Sequence, residues 1–469
     1  MTETILLRAA TFAQLPPVWP QSLLAEIRAA HEAAGRRLVI LDDDPTGTQT
    51  VHDIPLLTEW PVDVLAAEMK RSQTFFILTN SRSLPGPEAA ALAREIGQNL
   101  VQAAAIADVD FFVLSRSDST LRGHYPIEVD ALCEGLGRSY DATVMVPFFE
   151  AGGRFTLGDI HYVQQGEDLV PAALTEFARD KAFPFSHSWL PAYVEEKTKG
   201  RIAAAQVQGI SLETIRRGGP EAVLAQLMEA PRGAVVVLNA CTRRDLEVAV
   251  KGLYLAQAQG KTYIYRTAAS FVQVLAGMDD KPLLRAVDMA INTPAGGILF
   301  VGSHIQKSTE QLEQALAVPG VEGVELDVRE LIDEQRRPAL IRAYADRIHE
   351  VLHRGKNVIA YTSRELIAAG SAADSLAISR TVSQSLCSLV RSLDVQPRFI
   401  IAKGGITSND IATLGLGVQR ALIAGQLQPG VPVWRLGPES RFPGMYYVVY
   451  PGNVGSATGL AEALRAFEG

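Results

Sequence analysis

"LVILDDDPTGTQTV", residues 38–51, sets four apolar residues directly before three consecutive carboxylates and a Pro-Thr-Gly turn. An apolar run of that length reads as a strand buried on both faces, the kind found in parallel sheets covered by helices. Three adjacent acids repel one another, and a turn does not need them. Ligands in open α/β sheets bind beyond the carboxyl ends of the strands, so this loop is a candidate binding site.

The same rhythm continues outward. In the first half "RLVIL", "TFFILT", "DFFVLS", "ATVMVP", "AVVVLN" and "TYIYR" read as strands. Helical patterns such as "GPEAAALAREIGQNLVQAAA" lie between them, the alternation expected of β-α-β units. A less regular insertion with an aromatic loop, "AFPFSHSWLPAY", runs from about 153 to 200 and is expected to form a lid or a dimer contact. "AGMDDKPLLRAVDMAINTPAGG" then breaks the pattern before "ILFVGS", "GVELDV", "NVIAYTS", "RFIIAKGG", "VPVWRLG" and "MYYVVYPGNVG". The expected fold is two α/β domains, residues 1–285 and 286–469. The N-terminal sheet should be largely parallel with helices on both faces, and the C-terminal sheet mixed. The site is expected in the cleft between the domains.

Composition narrows the function classes. A balance of 47% hydrophobic and 20% charged residues is that of a soluble globular chain. The net charge of −8 and pI near 5.6 lack the basic footprint of a nucleic-acid binder. Cys133, Cys241 and Cys387 are sparse and form no C-x-x-C, as in a reducing compartment. No apolar stretch approaches the roughly 20 residues of a membrane span. A cytoplasmic location with no membrane or nucleic-acid partner is expected.

Polar residues recur after the strands of the first half, in "DDDPTG", "TNSRS", "SRSDSTLRGH", "PFFEAGGR" and "NACTRRD". Each alone fits ordinary turn chemistry; several loops enriched together in acids, hydroxyls and guanidiniums point to a shared site. The second half offers "GSHIQKST", "KGGITSND" and "PGNVGSATG", poor in acids and rich in glycine. Such loops bring backbone N–H groups close to phosphate oxygens. A helix "DIATLGLGVQRALIAG" is expected after "KGGITSND", and Ser308 with Gln311 reads as a capping box. No loop is a Walker motif or a clean G-x-G-x-x-G. The reaction that joins both halves is phosphoryl transfer, which calls for ATP, Mg²⁺ and a carboxylate base.

"HEVLH", His349–His353, matches the H-E-x-x-H zinc-hydrolase spacing. Gly355 and Asn357 end the helix at once, no later histidine follows, and basic residues suit a helix C-terminus. The motif is therefore read as a solvated helix end, with a zinc hydrolase as the rival reading. A non-catalytic binding protein with two α/β domains and a cleft is a second rival.

Taken together these motifs resemble the four-carbon acid sugar kinase family, associated with threonate, erythronate and 3-oxo-tetronate kinases. D-D-x-T-G falls on Asp43, Asp44, Thr46 and Gly47, and D-S-T-x-R-G on Asp118, Ser119, Thr120, Arg122 and Gly123. The S-R and G-R pairs are Ser81 with Arg82 and Gly153 with Arg154. In the second half G-S falls on Gly302 and Ser303, G-G-x-T-S on Gly404, Gly405, Thr407 and Ser408, and G-N-x-G on Gly452, Asn453 and Gly455. The resemblance covers residues 38–463 and departs at Pro45, at "TQTV" and in the missing acid of "GGITS". It implies a sugar-acid domain followed by an ATP domain, a kinase activity, and a homodimer. With the loop chemistry it gives Asp43, Asp44 and Asp118 as catalytic candidates. Thr46, Gly47, Ser81, Arg82, Arg116, Ser119, Thr120, Arg122 and Arg154 would hold the acid. Gly302, Ser303, Lys403, Gly404, Gly405, Thr407, Ser408, Gly452, Asn453 and Gly455 would hold the nucleotide. No metal ligands are assigned. Four arginines beside so few acids predict an acceptor that carries a carboxylate.

Overall fold

The structure is a computed structural model that describes residues 3–289, 293–302, 306–364, 372–452 and 454–467. Two units emerge: Met1–Val51 with Glu59–Asp280, and His52–Thr58 with Lys281–Gly469.

In the first unit seven strands form one parallel sheet: β1 (Arg37–Asp42), β2 (Thr74–Leu78), β3 (Phe111–Arg116), β4 (Ala142–Val146), β5 (Val207–Ile210), β6 (Ala234–Leu238) and β7 (Tyr263–Thr267). Their order is β5-β6-β4-β7-β3-β1-β2. Leu38, Val39 and Ile40 of β1 are fully buried, as a strand covered on both faces must be. The helices Val62–Arg71, Gly86–Ala107 and Ile127–Leu136 pack on one another. Leu24–Ala33, Gly219–Glu229, Arg243–Ala258 and Ala269–Leu275 form a second packed group. Register matters most for the site: Asp42 lies opposite Leu78 and Arg116, and Arg116 opposite Thr267. The strands thus end level, and their following loops emerge side by side.

The insertion is a small antiparallel sheet of Arg154–Leu157, Ile160–Gln165 and Asp168–Pro171, completed by Leu6–Leu7. Its aromatics turn inward. Phe183, Phe185 and Tyr193 are buried, and Tyr193 stacks on Tyr125 at 6.1 Å.

The second unit has β8 (Ile298–Val301), β9 (Val321–Leu326), β10 (Asn357–Thr362), β11 (Ile400–Lys403), β12 (Arg420–Gln428), β13 (Val431–Leu436) and β14 (Tyr446–Tyr450). The order is Ile54–Leu57, then β12-β13-β14-β11-β8-β10-β9. Pairings are antiparallel through β14 and parallel from β14 onward, a mixed sheet. Leu299, Ile401, Val433 and Val448 centre its core, where Phe399 stacks on Phe467 at 4.0 Å.

Two local readings are corrected, and one strand is added. The expected helix over 410–425 is instead a short helix Gly405–Asp410, a π-turn Ile411–Gly415 and the strand β12. Gly417 at φ 66° breaks the helix, and β-sheet partners on both sides claim Arg420–Ile423. Ser308 does not cap: it lies inside the helix Gln306–Leu316, and Gln311 Nε2 donates to the Val454 and Ser456 carbonyls. The edge strand β5 is an addition, too mixed in composition to stand out in the sequence.

Candidate active site

Three successive acids end β1, and the fold gives each a different partner. Asp42 is fully buried, 3.1 Å from Arg116 Nη1, and accepts the Asp44 N–H. A Cβ on Gly47 would stand 2.1 Å from its Oδ2, so only glycine lets the turn close over this pair. Burial pushes the Asp42 carboxyl up to about 7; Arg116 opposes this, while Asp43 and Asp44 add to it. Asp42 therefore ties β1 to β3 through Arg116.

Asp43 has both oxygens engaged. Arg82 grips them with Nη2 at 2.5 Å and Nε at 3.2 Å, and Ser117 Oγ donates at 2.6 Å. Burial works against its charge, but Arg82, Arg266 and Arg116 outweigh it and hold the carboxyl below the usual range. Asp44 opens the turn Pro45–Thr48, its Oδ1 accepting from the Thr46 N–H and hydroxyl. Among the described residues its Oδ2 meets only Arg82 Nη1, at 3.6 Å.

Asp118 accepts from Arg122 Nε at 2.7 Å and from the Thr120 hydroxyl, both on Oδ2. Burial again opposes the charge, and Arg82 with Arg122 hold the carboxyl well below the ordinary range. Asp43, Asp44 and Asp118 in turn raise the pKa of Arg82 well above its usual value, against the cost of burial. Arg82 is the hub that gathers three loops. Ser81, its neighbour, donates to Glu128, and His161 holds the Ser119 carbonyl at 2.7 Å from beneath.

The insertion completes this end of the unit. Arg122 lies 5.0 Å and Arg154 5.6 Å from the Phe177 ring. Arg122 also reaches Asp180 at 3.5 Å. Among the described residues Arg154 has no carboxylate within ion-pair distance, and its buried Nε has no hydrogen-bond partner. Burial lowers its pKa, Asp118 counters, and Arg122 adds to the lowering. Sequence reasoning missed Arg266 and Glu128. Arg266 Nη1 bridges Ser115 at 2.8 Å and Glu128 at 2.9 Å beneath Asp43. Both sit inside an apolar element, where only the sheet order reveals their neighbours.

In the second unit Val301, Lys403 and Tyr450 lie level in adjacent parallel strands. The loops that follow are those singled out in the sequence. Gly404 has φ 103° and precedes the helix Gly405–Asp410. Thr407 Oγ1 lies beside Gly302, where an added Cβ would meet it at 2.8 Å. Ser408 is buried and bonds the Ala402 carbonyl, a structural tie. Lys403 Nζ donates to the Pro451 and Gly452 carbonyls at 3.3 and 3.2 Å, and lies 4.8 Å from the Tyr450 ring centre. Burial, with Lys307 nearby, lowers its pKa to about 8. A Cβ on Gly452 would meet nothing, whereas one on Gly455 would strike the Tyr450 hydroxyl at 2.3 Å. Ser303 and Asn453 lie outside the described residues.

The H-E-x-x-H pair ends its helix, Arg337–His353: His353 is exposed, while His349 is partly buried and its Nε2 has no partner among the described residues. His353 Nε2 is 3.1 Å from Asp394, and His349 Nδ1 is 3.8 Å from the same carboxylate. Among the described residues no three His, Cys, Asp or Glu side chains converge as metal ligands. No described helix is long and apolar enough to cross a membrane.

An acid- and guanidinium-lined sheet end in one unit and glycine loops around a buried lysine in the other define a protein with one polar-ligand domain and one anion-cradling domain. Family models match accordingly: a sugar-binding N-terminal domain over residues 38–275 and a nucleotide-binding C-terminal domain over 298–460. The chain belongs to the four-carbon acid sugar kinase family. The D-erythronate kinase of Heliobacterium modesticaldum (strain ATCC 51547 / Ice1) is 27% identical over 250 residues, 51% of this chain and 52% of that protein. The match thus spans about half the length of this curated relative. Two solved structures share the fold. One, from Salmonella typhimurium LT2 and provisionally named a tRNA synthase, has TM-score 0.66 and 18% identity over 92% of this chain and 99% of its own. The other, Haemophilus influenzae HI1011 of the DUF1537 family, has TM-score 0.63 and 17% identity over 92% and 100%.

Proposed function

We propose that the chain is an ATP- and Mg²⁺-dependent kinase that phosphorylates the terminal hydroxyl of a four-carbon acid of the threonate, erythronate or 3-oxo-tetronate class. One observation carries the acid: of the four arginines at this sheet end, Arg82, Arg116 and Arg122 have carboxylate partners, and Arg154 has none among the described residues. A substrate carboxylate supplies what Arg154 lacks, in the planar two-pronged geometry that guanidinium favours. The erythronate kinase relative points to the same class.

The nucleotide fits the second unit. Among the described residues Lys403 is a buried cation whose hydrogen bonds go to carbonyls alone, and a Cβ on Gly452 would meet nothing. Lys403, Gly404, Gly405 and Thr407 would hold the phosphates. When bound, Mg²⁺ and ATP supply a phosphoryl group with its charge partly neutralised. A magnesium ion bound mostly by phosphate oxygens and water needs only one or two carboxylates, which fits the described residues, where no three-ligand cluster converges.

The chain's own residues then divide the work. Arg154 anchors the acid, and Arg122 stands beside it on the Phe177 face. Asp43 bonds Arg82 through both oxygens and Ser117 through one, and so fixes that arginine. Asp44 Oδ2 and Asp118 Oδ1 keep a lone pair free, and one of them takes the proton from the acceptor hydroxyl. Asp118 stays ionised across the neutral range because its carboxyl is held low.

Calorimetry tests the cofactor half of this reading. ATP with Mg²⁺ should bind, and NAD should not. Binding of NAD alone would replace the kinase with a dinucleotide enzyme.

A further inference from the structure

One buried hydroxyl beside the acids has no structural use. Thr267 ends β7 between Arg116 of β3 and Val146 of β4. Its residue is 3% exposed, and among the described residues its Oγ1 has no hydrogen-bond partner. An orphaned hydroxyl costs the fold about as much as a lost hydrogen bond, so its persistence calls for a partner. Thr267 lines a recess of about 20 Å³ with Ser117, Asp118, Arg122 and Arg266. That volume admits one water-sized group. Tyr193 of the insertion and Met145 close the recess; Tyr193 is fixed by its bond to the Leu121 carbonyl at 2.9 Å.

We propose that Thr267 Oγ1 reads one mid-chain hydroxyl of the acceptor, seated in this recess while the terminal hydroxyl faces Asp44 or Asp118. This rests on the sugar-acid reading above and sharpens it: the enzyme selects a polyhydroxy acid over its deoxy analogues. The recess fits a hydroxyl with its hydrogen-bond needs met by Thr267 and Arg266, and it leaves a CH₂ beside an unpaired Thr267. A site built to bond a hydroxyl discriminates strongly against the analogue that lacks it.

The test compares erythronate and threonate with 3,4-dihydroxybutanoate and 2,4-dihydroxybutanoate, which lack the 2- or the 3-hydroxyl and keep the 4-hydroxyl. Wild type should prefer the full acid over one of the two deoxy acids by ~10- to 100-fold in kcat/KM. Thr267→Val should remove that preference by losing activity on the full acid alone, and Thr267→Ser should keep it. Equal loss by Thr267→Val on all four acids, or no loss, overturns the proposal. If Thr267→Val fails to fold, Thr267→Ser and the wild-type preference decide: no wild-type preference for either hydroxyl sinks the idea. Calorimetry of the same acids with nucleotide-free protein separates two failures. Acids that bind without acid-dependent ADP release defeat the kinase reading alone, and acids that bind without regard to either mid-chain hydroxyl defeat the Thr267 reading alone.

Discussion

Arg154→Met removes a cation that the folded chain holds at a cost. Burial keeps the Arg154 guanidinium below its ordinary pKa, and its Nε has no partner. Methionine keeps apolar contact with Phe177 while it abolishes the charge. The folded chain should therefore lose no stability, and its Tm should stay level or rise. Binding should respond in the opposite direction. A two-pronged pair of charge-assisted hydrogen bonds to a substrate carboxylate is worth about 2–4 kcal/mol after desolvation, or ~30- to 1000-fold in Kd. Calorimetry with erythronate measures that loss directly, and kcat/KM should fall in parallel because the anchor acts in ground state and transition state alike. Erythritol, which has no carboxylate, should show no such loss. The reasoning fails if Arg154→Met keeps the wild-type ratio of erythronate to erythritol, or if Tm drops by several degrees while affinity holds.

Asp118→Asn and Asp44→Asn separate the two base candidates: one should lower kcat by ~10²–10⁴ with binding of the acid retained, and near-normal kcat in both would remove the carboxylate base. Asp42 should make stability fall with rising pH. Its carboxyl is near 4 in the unfolded chain and about 7 in the fold, so the native state binds the extra proton between those values and loses that advantage as pH climbs. Denaturation curves should show wild type weakening relative to Asp42→Asn from pH ~4 to ~7, with a constant difference above; a constant difference throughout contradicts the shift. Lys403, near 8 in the free chain, must be protonated to meet phosphate. ATP affinity should weaken above pH 8 with proton uptake on binding, and Lys403→Met should abolish both; an unchanged pH slope in that variant moves the phosphates elsewhere.

Much of this was legible because post-strand loops in a parallel sheet share one edge. That rule alone brings Asp43, Arg82, Arg116, Asp118 and Arg154 to one unit's sheet end, and Lys403, Gly404 and Gly452 to the other's. Partner choice was not legible. That Arg116 takes Asp42 and Arg82 takes Asp43 depends on β1 lying between β2 and β3, which order along the chain does not reveal. The burial of Asp42 was hidden as well, because its cover, Gly47, acts only in three dimensions. Arg420–Gln428 carried helix-like spacing, and tertiary pairing on both sides overrode it. Residues 52–58 join the second unit through pairing with β12, an excursion that no boundary drawn along the chain can express.

The central claim is that a carboxylate-bearing four-carbon acceptor receives phosphate from ATP. It is tested most directly by acid-dependent ADP release with ATP and Mg²⁺, run with threonate, erythronate and 3-oxo-tetronate against the neutral tetroses, erythritol and glycerol. The account predicts turnover with one or more acids only, and phosphorus NMR should place the new ester on the 4-hydroxyl. Equal turnover of a neutral tetrose would contradict the Arg154 anchor, and no ADP release with any acceptor would contradict the kinase itself.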